Sequence, residues 1–195
     1  MKLDLLKEHY FFELNRKQYL EGALAFPAAV LTGLGGVVFT MAQSFTYYLN
    51  PLTMFFLVFL AGAVASLVVA FVYIVRACHR STYQLAPASN DLLAHMKKLR
   101  EYYRAKEYYR SIEHLDAKAE KDFEEGMMEK YAEATTVNKE KNDSKAGYLY
   151  RVNLSLISAT LFLAFCAGPY FANIKTNPRE PQRVEIVNIN ENRIR

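Results

Sequence analysis

Between residues 22 and 75 the chain has no Asp, Glu, Lys, Arg or His, a stretch of 54 residues. Residues 152–174 lack them for another 23. Two such gaps exclude a water-soluble domain, whose helices need a polar face toward solvent. About 20 apolar residues cross the hydrocarbon core of a bilayer. The long gap therefore holds two spans and the short gap one. The expected fold class is an all-α integral membrane protein, with three transmembrane helices and a cytoplasmic helical hairpin.

Cysteine is nearly absent too. Cys78 ends the second span and Cys166 lies within the third. They are expected at opposite membrane depths, which argues against a disulfide within one chain. A secretory signal does not fit: the first 22 residues carry four basic and four acidic side chains. The apolar run that follows is also too long for an h-region, so the first span is expected to stay in the mature protein.

Chemistry is equally sparse. His9, His79, His95 and His114 are scattered, without metal-ligand spacing or an HExxH motif. There is no Gly-x-Ser-x-Gly, Walker loop or dinucleotide fingerprint. Arg110 and His114 lie one turn apart, an ordinary pair on a charged helix. The expectation is a protein that is not an enzyme and has no cofactor or metal. No ionisable group sits in a span, which argues against an ion-coupled carrier. A pore is still open, because Ser, Thr and Asn can line one. A net charge of +4, with basic and acidic residues interleaved, gives no footprint for nucleic acid.

Five segments make up the chain. Residues 1–22 read as an amphipathic helix, with Leu3, Leu6, Tyr10 and Leu14 on one stripe and Lys7, Glu13, Arg16 and Lys17 at polar positions. Residues 23–77 form a hairpin of two spans, kinked at Pro27 and turned at Tyr47-Tyr48-Leu49-Asn50-Pro51. Residues 78–147 are a charged helical segment opened by Pro87 and a Ser89-Asn90-Asp91 cap. Residues 148–174 are the third transmembrane helix, preceded by Asn142-Asp143-Ser144 as a cap and disturbed at Gly168-Pro169. Residues 175–195 form an extracytoplasmic tail in which 184–189 could make a short strand.

The turn between the first two spans is uncharged, whereas Lys and Arg gather across residues 76–151. The positive-inside rule assigns that side, and the N-terminus, to the cytoplasm and the C-terminus to the outside. Lys175, Arg179 and Arg183 make the third crossing less firmly oriented than the first two. Within the charged segment, residues 97–110 hold six basic and two acidic residues, and 113–133 hold eight acidic and three basic. Antiparallel packing of two helices pairs those charges.

Small residues recur every four positions in the spans: Ala29 and Gly33, with Gly36 on a second line, then Gly62, Ser66 and Ala70. Such lines let helix backbones approach closely. They serve packing within the hairpin or, since several faces carry them, self-association. Asn153, Ser155, Ser158 and Thr160 are candidate pore-lining residues, or simply helix–helix hydrogen-bonding ones. Tyr102, Tyr103, Arg104, Tyr108, Tyr109 and Arg110 interleave aromatic and cationic side chains. Such a run can stack on a base and hold a phosphate, or pack on its neighbour and on head groups.

With its polar N-terminal helix bearing Glu13-Leu14-Asn15-Arg16-Lys17, two closely joined spans and a charged helical extension, the chain resembles the SLATT-type membrane effectors of bacterial anti-phage systems. The likeness covers about residues 1–135 and is architectural; the third span departs from it. It implies oligomerisation and membrane perturbation upon activation, and carries over no site residue. The expected function is a homo-oligomeric, pore-forming or membrane-perturbing effector in the bacterial inner membrane, controlled through its cytoplasmic helices. Its partners would be the lipid bilayer, further copies of itself, and a cytoplasmic protein or nucleotide signal. The alternatives are a non-conducting membrane anchor or assembly subunit, and a membrane enzyme with an unrecognised site.

Overall fold

Proline marks the first interruption. Pro27 has no amide hydrogen and its ring crowds the carbonyl four residues back. The helix is accordingly interrupted at Leu24, which stays near helical geometry at φ −74 and ψ −22. The computed structural model describes residues 2–79, 82–105 and 112–176, with residues 112 and 113 as backbone only. On either side of Leu24 lie α1 (Lys2–Ala23) and α2 (Ala25–Ser44), a rod of 43 residues with that one interruption. A short loop leads to α3 (Pro51–Cys78), whose start is specified locally. The Asn50 side chain accepts the Thr53 amide at 2.8 Å, and Pro51 occupies the first helical position. An extended segment, 82–88, then leads to α4 (Ser89–Ala105), and the described chain ends with α5 (Ile112–Thr176).

Three of these helical stretches are long and apolar enough to cross a membrane: the α1–α2 rod, α3 and α5. No strand occurs among the described residues, and the strand expected at 184–189 lies outside them.

The largest contact is between α3 and α5, which run antiparallel. Cys166 Sγ meets the Phe56 carbonyl near one end, and Arg151 meets the Tyr73 hydroxyl near the other. A seven-residue recurrence of nearly buried residues runs along both helices. On α3 these are Phe56, Ala63, Ala70 and Ala77, each at 1% exposure or less. On α5 they are Asn138, Lys145, Val152, Ala159, Cys166 and Asn173, none above 7%. Seven-residue recurrence keeps a seam facing its partner along the whole length, and alanine on it brings the backbones close. Running in the same direction as α5, α2 packs against both helices.

α5 corrects one sequence expectation. Asn142-Asp143-Ser144 do not cap a new helix; they lie inside a single helix of 65 residues. Asn142 and Asp143 are engaged by other elements, and Ser144 bonds back onto the helix it sits in, so none of the three frees the backbone to end it. Asn142 bonds Glu13 and Tyr83, Asp143 pairs with Arg16, and Ser144 donates to the Glu140 carbonyl. The expected boundary between 78–147 and 148–174 thus falls within one rod. Gly168-Pro169, the expected disturbance, does not end it.

Candidate functional site

A polar layer forms where the charged part of α5 meets its uncharged part. Tyr10, Glu13 and Leu20 are the buried residues of α1, which lies along α5. Glu13, expected among the polar surface positions, is only 5% exposed. Its neighbour supplies the reason. Asn142 Nδ2 donates to both the Glu13 main-chain oxygen and its carboxylate, each at 2.8 Å. The other end of the Asn142 amide accepts the Tyr83 hydroxyl at 2.8 Å. Arg16 lies 3.5 Å from Glu13 and 2.7 Å from Asp143. The Asp143 carboxylate raises the Arg16 pKa further above its ordinary value, outweighing the opposing effect of burial.

Lys145 closes the layer by pairing with Glu21 at 3.0 Å. Burial acts to lower its pKa, yet Glu21 and the Tyr83 hydroxyl together outweigh that, and the net shift is upward. Three ammonium groups surround the Tyr83 ring: Lys17 at 4.7 Å from its centroid, Lys145 at 5.2 Å and Lys141 at 5.9 Å. The extended segment is fastened by Asn138, which accepts the Gln84 amide at 2.9 Å and donates to its carbonyl at 3.0 Å. This layer joins α1, the extended segment and α5 in one fixed register. Among the described residues no group of three His, Cys, Asp or Glu side chains is placed to hold a metal ion.

The small-residue candidates divide between two environments. On α3, Gly62 faces Phe162, whose ring would lie 3.0 Å from an added Cβ. Ser66 Oγ donates to the Gly62 carbonyl at 2.9 Å and reaches Ser158 Oγ at 3.3 Å. Ala70 is fully buried. This line is consumed by packing within the chain. On α2, Ala29, Gly33 and Gly36 are exposed, and a Cβ at either glycine would meet nothing within 4 Å.

The candidate pore residues divide likewise. Asn153 and Thr160 are exposed along the groove between α2 and α5, which opens into hollows of about 660 and 730 Å³ that share Thr160. Ser158 faces α3, and Ser155 donates to the Arg151 carbonyl at 2.9 Å. The four do not form a single row.

In the Tyr-Arg run, Tyr103 is buried with Leu99, Leu115 and Ala119 and donates to Asp122. That bond, followed by Lys118 at 3.0 Å, holds the Asp122 pKa below its ordinary value. Tyr102 is half-exposed, and Arg104 lies 3.9 Å from Asp116. Arg100 reaches Asp116 and Glu120, each at 3.7 Å. These contacts put the basic half of the charged segment against the acidic half, as antiparallel packing requires. Tyr108, Tyr109 and Arg110 lie outside the described residues.

Tyr83, Asn138, Lys145 and Asn173 were not among the sequence candidates. Stepping back by sevens from Cys166 through Ala159 and Val152 reaches Lys145 and Asn138, a recurrence legible without coordinates. Comparison with protein-family models, curated proteins and solved structures found no match.

Proposed function

We infer that this chain is a homo-oligomeric integral membrane protein whose spans form or gate a pore or lesion under the control of the α4–α5 hairpin. The observation that carries this reading is the small-residue line of α2, whose glycines open onto the groove beside α5. Ala29, Gly33 and Gly36 stand exposed with open space before the glycines, whereas the matching line on α3 is filled by α5. Small residues left open on an apolar helix favour a second helix at close range. Exposed Phe39, Phe55, Phe71 and Phe165 on the surrounding faces suit lipid rather than water. The setting proposed, with the SLATT-type resemblance in support, is the bacterial inner membrane and anti-phage defence. There the N-terminus and hairpin face the cytoplasm, the C-terminal tail lies outside, and a cytoplasmic protein or nucleotide signal acts through the hairpin. No catalytic role is assigned.

A second reading, a non-conducting anchor or assembly subunit, is favoured by one observation. Two span hydroxyls that could face a path are engaged inside the chain, Ser66 with Ser158 and Thr160 with the Leu156 carbonyl. A conducting path would then form only between protomers. Dye-loaded liposomes, with the oligomeric mass measured in parallel, separate the two readings. The pore reading expects an oligomer that releases dye and loses both properties in Gly36→Leu. An oligomer that never leaks supports the anchor, and a monomer that never leaks ends the pore reading.

A further inference from the structure

The first charge after the long uncharged stretch is Arg76, and the last before the short one is Arg151. The fold brings them to one side chain. Arg76 Cζ lies 5.9 Å and Arg151 Cζ 5.3 Å from the centroid of the Tyr73 ring. Tyr73 in turn stacks on Tyr148 at 6.2 Å. Tyr148 and Arg76 form one wall of a pocket of about 410 Å³ between the end of α3 and the middle of α5. Its other walls are His79, Lys141 and Lys145, with the Ser144 hydroxyl as a polar neighbour. Among the described residues, Glu140 is the one carboxylate lining it.

The charges here are unevenly used. Lys145 is matched by Glu21, and Lys141 donates to the Thr82 carbonyl. Among the described residues, neither Arg76 nor Arg151 has a carboxylate within ion-pair distance. Two guanidinium groups without acidic partners, beside a cationic pocket, call for an external anion. Guanidinium and ammonium groups together suit a phosphate, which takes forked and point-charge contacts at once.

We propose that this pocket binds the phosphate of a lipid head group with net negative charge. Its place in the chain selects the lipid over a free phosphate. Both arginines stand at the first polar level beyond the apolar helices, where head groups lie and where the inner leaflet attracts basic residues. The phosphate sits between Arg76 and Lys141, Arg151 extends the cationic rim, and Tyr73 and Tyr148 lie at the acyl boundary. The inference rests on the reading that α3 and the last part of α5 cross a bilayer.

Full-length protein in neutral detergent, examined by native mass spectrometry, tests it. Phosphatidylglycerol should be retained at concentrations where phosphatidylcholine is not. Arg76→Gln and Lys141→Gln should each weaken retention roughly fivefold, the effect of one cation near a charged lipid surface. Glu140→Gln should strengthen it, a gain that misfolding cannot produce. Equal retention of the two lipids, or indifference to all three substitutions, overturns the proposal. Inorganic phosphate should not displace the lipid at millimolar concentration; if it does so fully, the site is one for a soluble anion and the lipid assignment falls. Alkaline carbonate extraction of protein in phosphatidylcholine vesicles tests the membrane reading separately. Protein that resists extraction yet ignores phosphatidylglycerol refutes the lipid site alone.

Discussion

Asn138 and Asn173 make the same pair of bonds at opposite ends of one seam. Asn138 accepts the amide and donates to the carbonyl of Gln84, at 2.9 and 3.0 Å. Asn173 does so with Thr46, at 2.9 and 2.8 Å. Each is almost fully buried, and each satisfies both main-chain groups of a residue in extended chain. A buried amide in a helical seam thus fastens a loop where a strand partner would otherwise be needed.

Replacing Asn173 by Leu should leave the Thr46 amide and carbonyl without that partner, at a cost of about 2 kcal/mol. Hydrogen exchange at the Thr46 amide should quicken while the amides of α5 keep their protection. Asn138→Leu should have the same effect at Gln84. Unchanged exchange at either amide would mean that the bonds add nothing to the hold on these loops.

Gly62 and Gly36 should respond differently to leucine. At Gly62 even a Cβ would lie 3.0 Å from Phe162, so the larger side chain must separate α3 from α5 at roughly 1–3 kcal/mol or more. At Gly36 the space is open, and the fold of the single chain should survive. Thermal unfolding in detergent should fall for Gly62→Leu and hold for Gly36→Leu. Equal losses would place Gly36 in a packed environment that the single chain does not supply.

Asn142 and Glu13 should be coupled. Asn142→Leu leaves the nearly buried Glu13 carboxylate with Arg16 alone, costing about 2–3 kcal/mol, the range for a hydrogen bond to a charged group. Exchanging both residues for leucine should recover much of that loss, because no buried charge then remains without its partner. A double-mutant cycle in unfolding measures this, with additive losses as the contrary result.

The α4–α5 contact should weaken in acid. Tyr103 first and Lys118 second hold the Asp122 pKa below its ordinary value. A depressed folded value means stability that is full above the unfolded pKa of about 3.9 and lost as pH falls through the folded value. Asp116 and Glu120, which face Arg100, are further carboxylates in the same contact, so the wild-type chain alone does not isolate Asp122. Tyr103→Phe should shrink the acid-dependent part of α4 exchange protection, and an unchanged pH profile would assign that part to Arg100 and its partners.

The helices were legible because each rests on a local signal. Long uncharged runs marked the three apolar stretches, Pro27 the nearby interruption at Leu24, and Asn50-Pro51 the start of α3. The opposed charges of residues 97–110 and 113–133 foretold the pairing of Arg100 with Asp116 and Glu120. The continuity of α5 was not legible. Asn142-Asp143-Ser144 is a sound capping signal until α1 supplies Glu13 and Arg16 as competing partners. Glu13 looked like a surface residue for the same reason, since only the neighbouring helix makes its position interior. Tyr103, open in the sequence to stacking on a base or to packing on its neighbour, packs on Leu115 and Ala119 and bonds Asp122.

Continuity gives α5 mechanical leverage. Its residues 112–151, ahead of the uncharged stretch, span roughly 60 Å at the helical rise of about 1.5 Å per residue. A pivot of only about 5° in the apolar part therefore sweeps the far tip sideways by roughly 5 Å, about the pitch of one helical turn. The hairpin at that tip is a long handle on a short fulcrum. A modest force applied there produces a larger torque on the packed seam, where Ala63, Ala70 and Ala159 leave almost no slack.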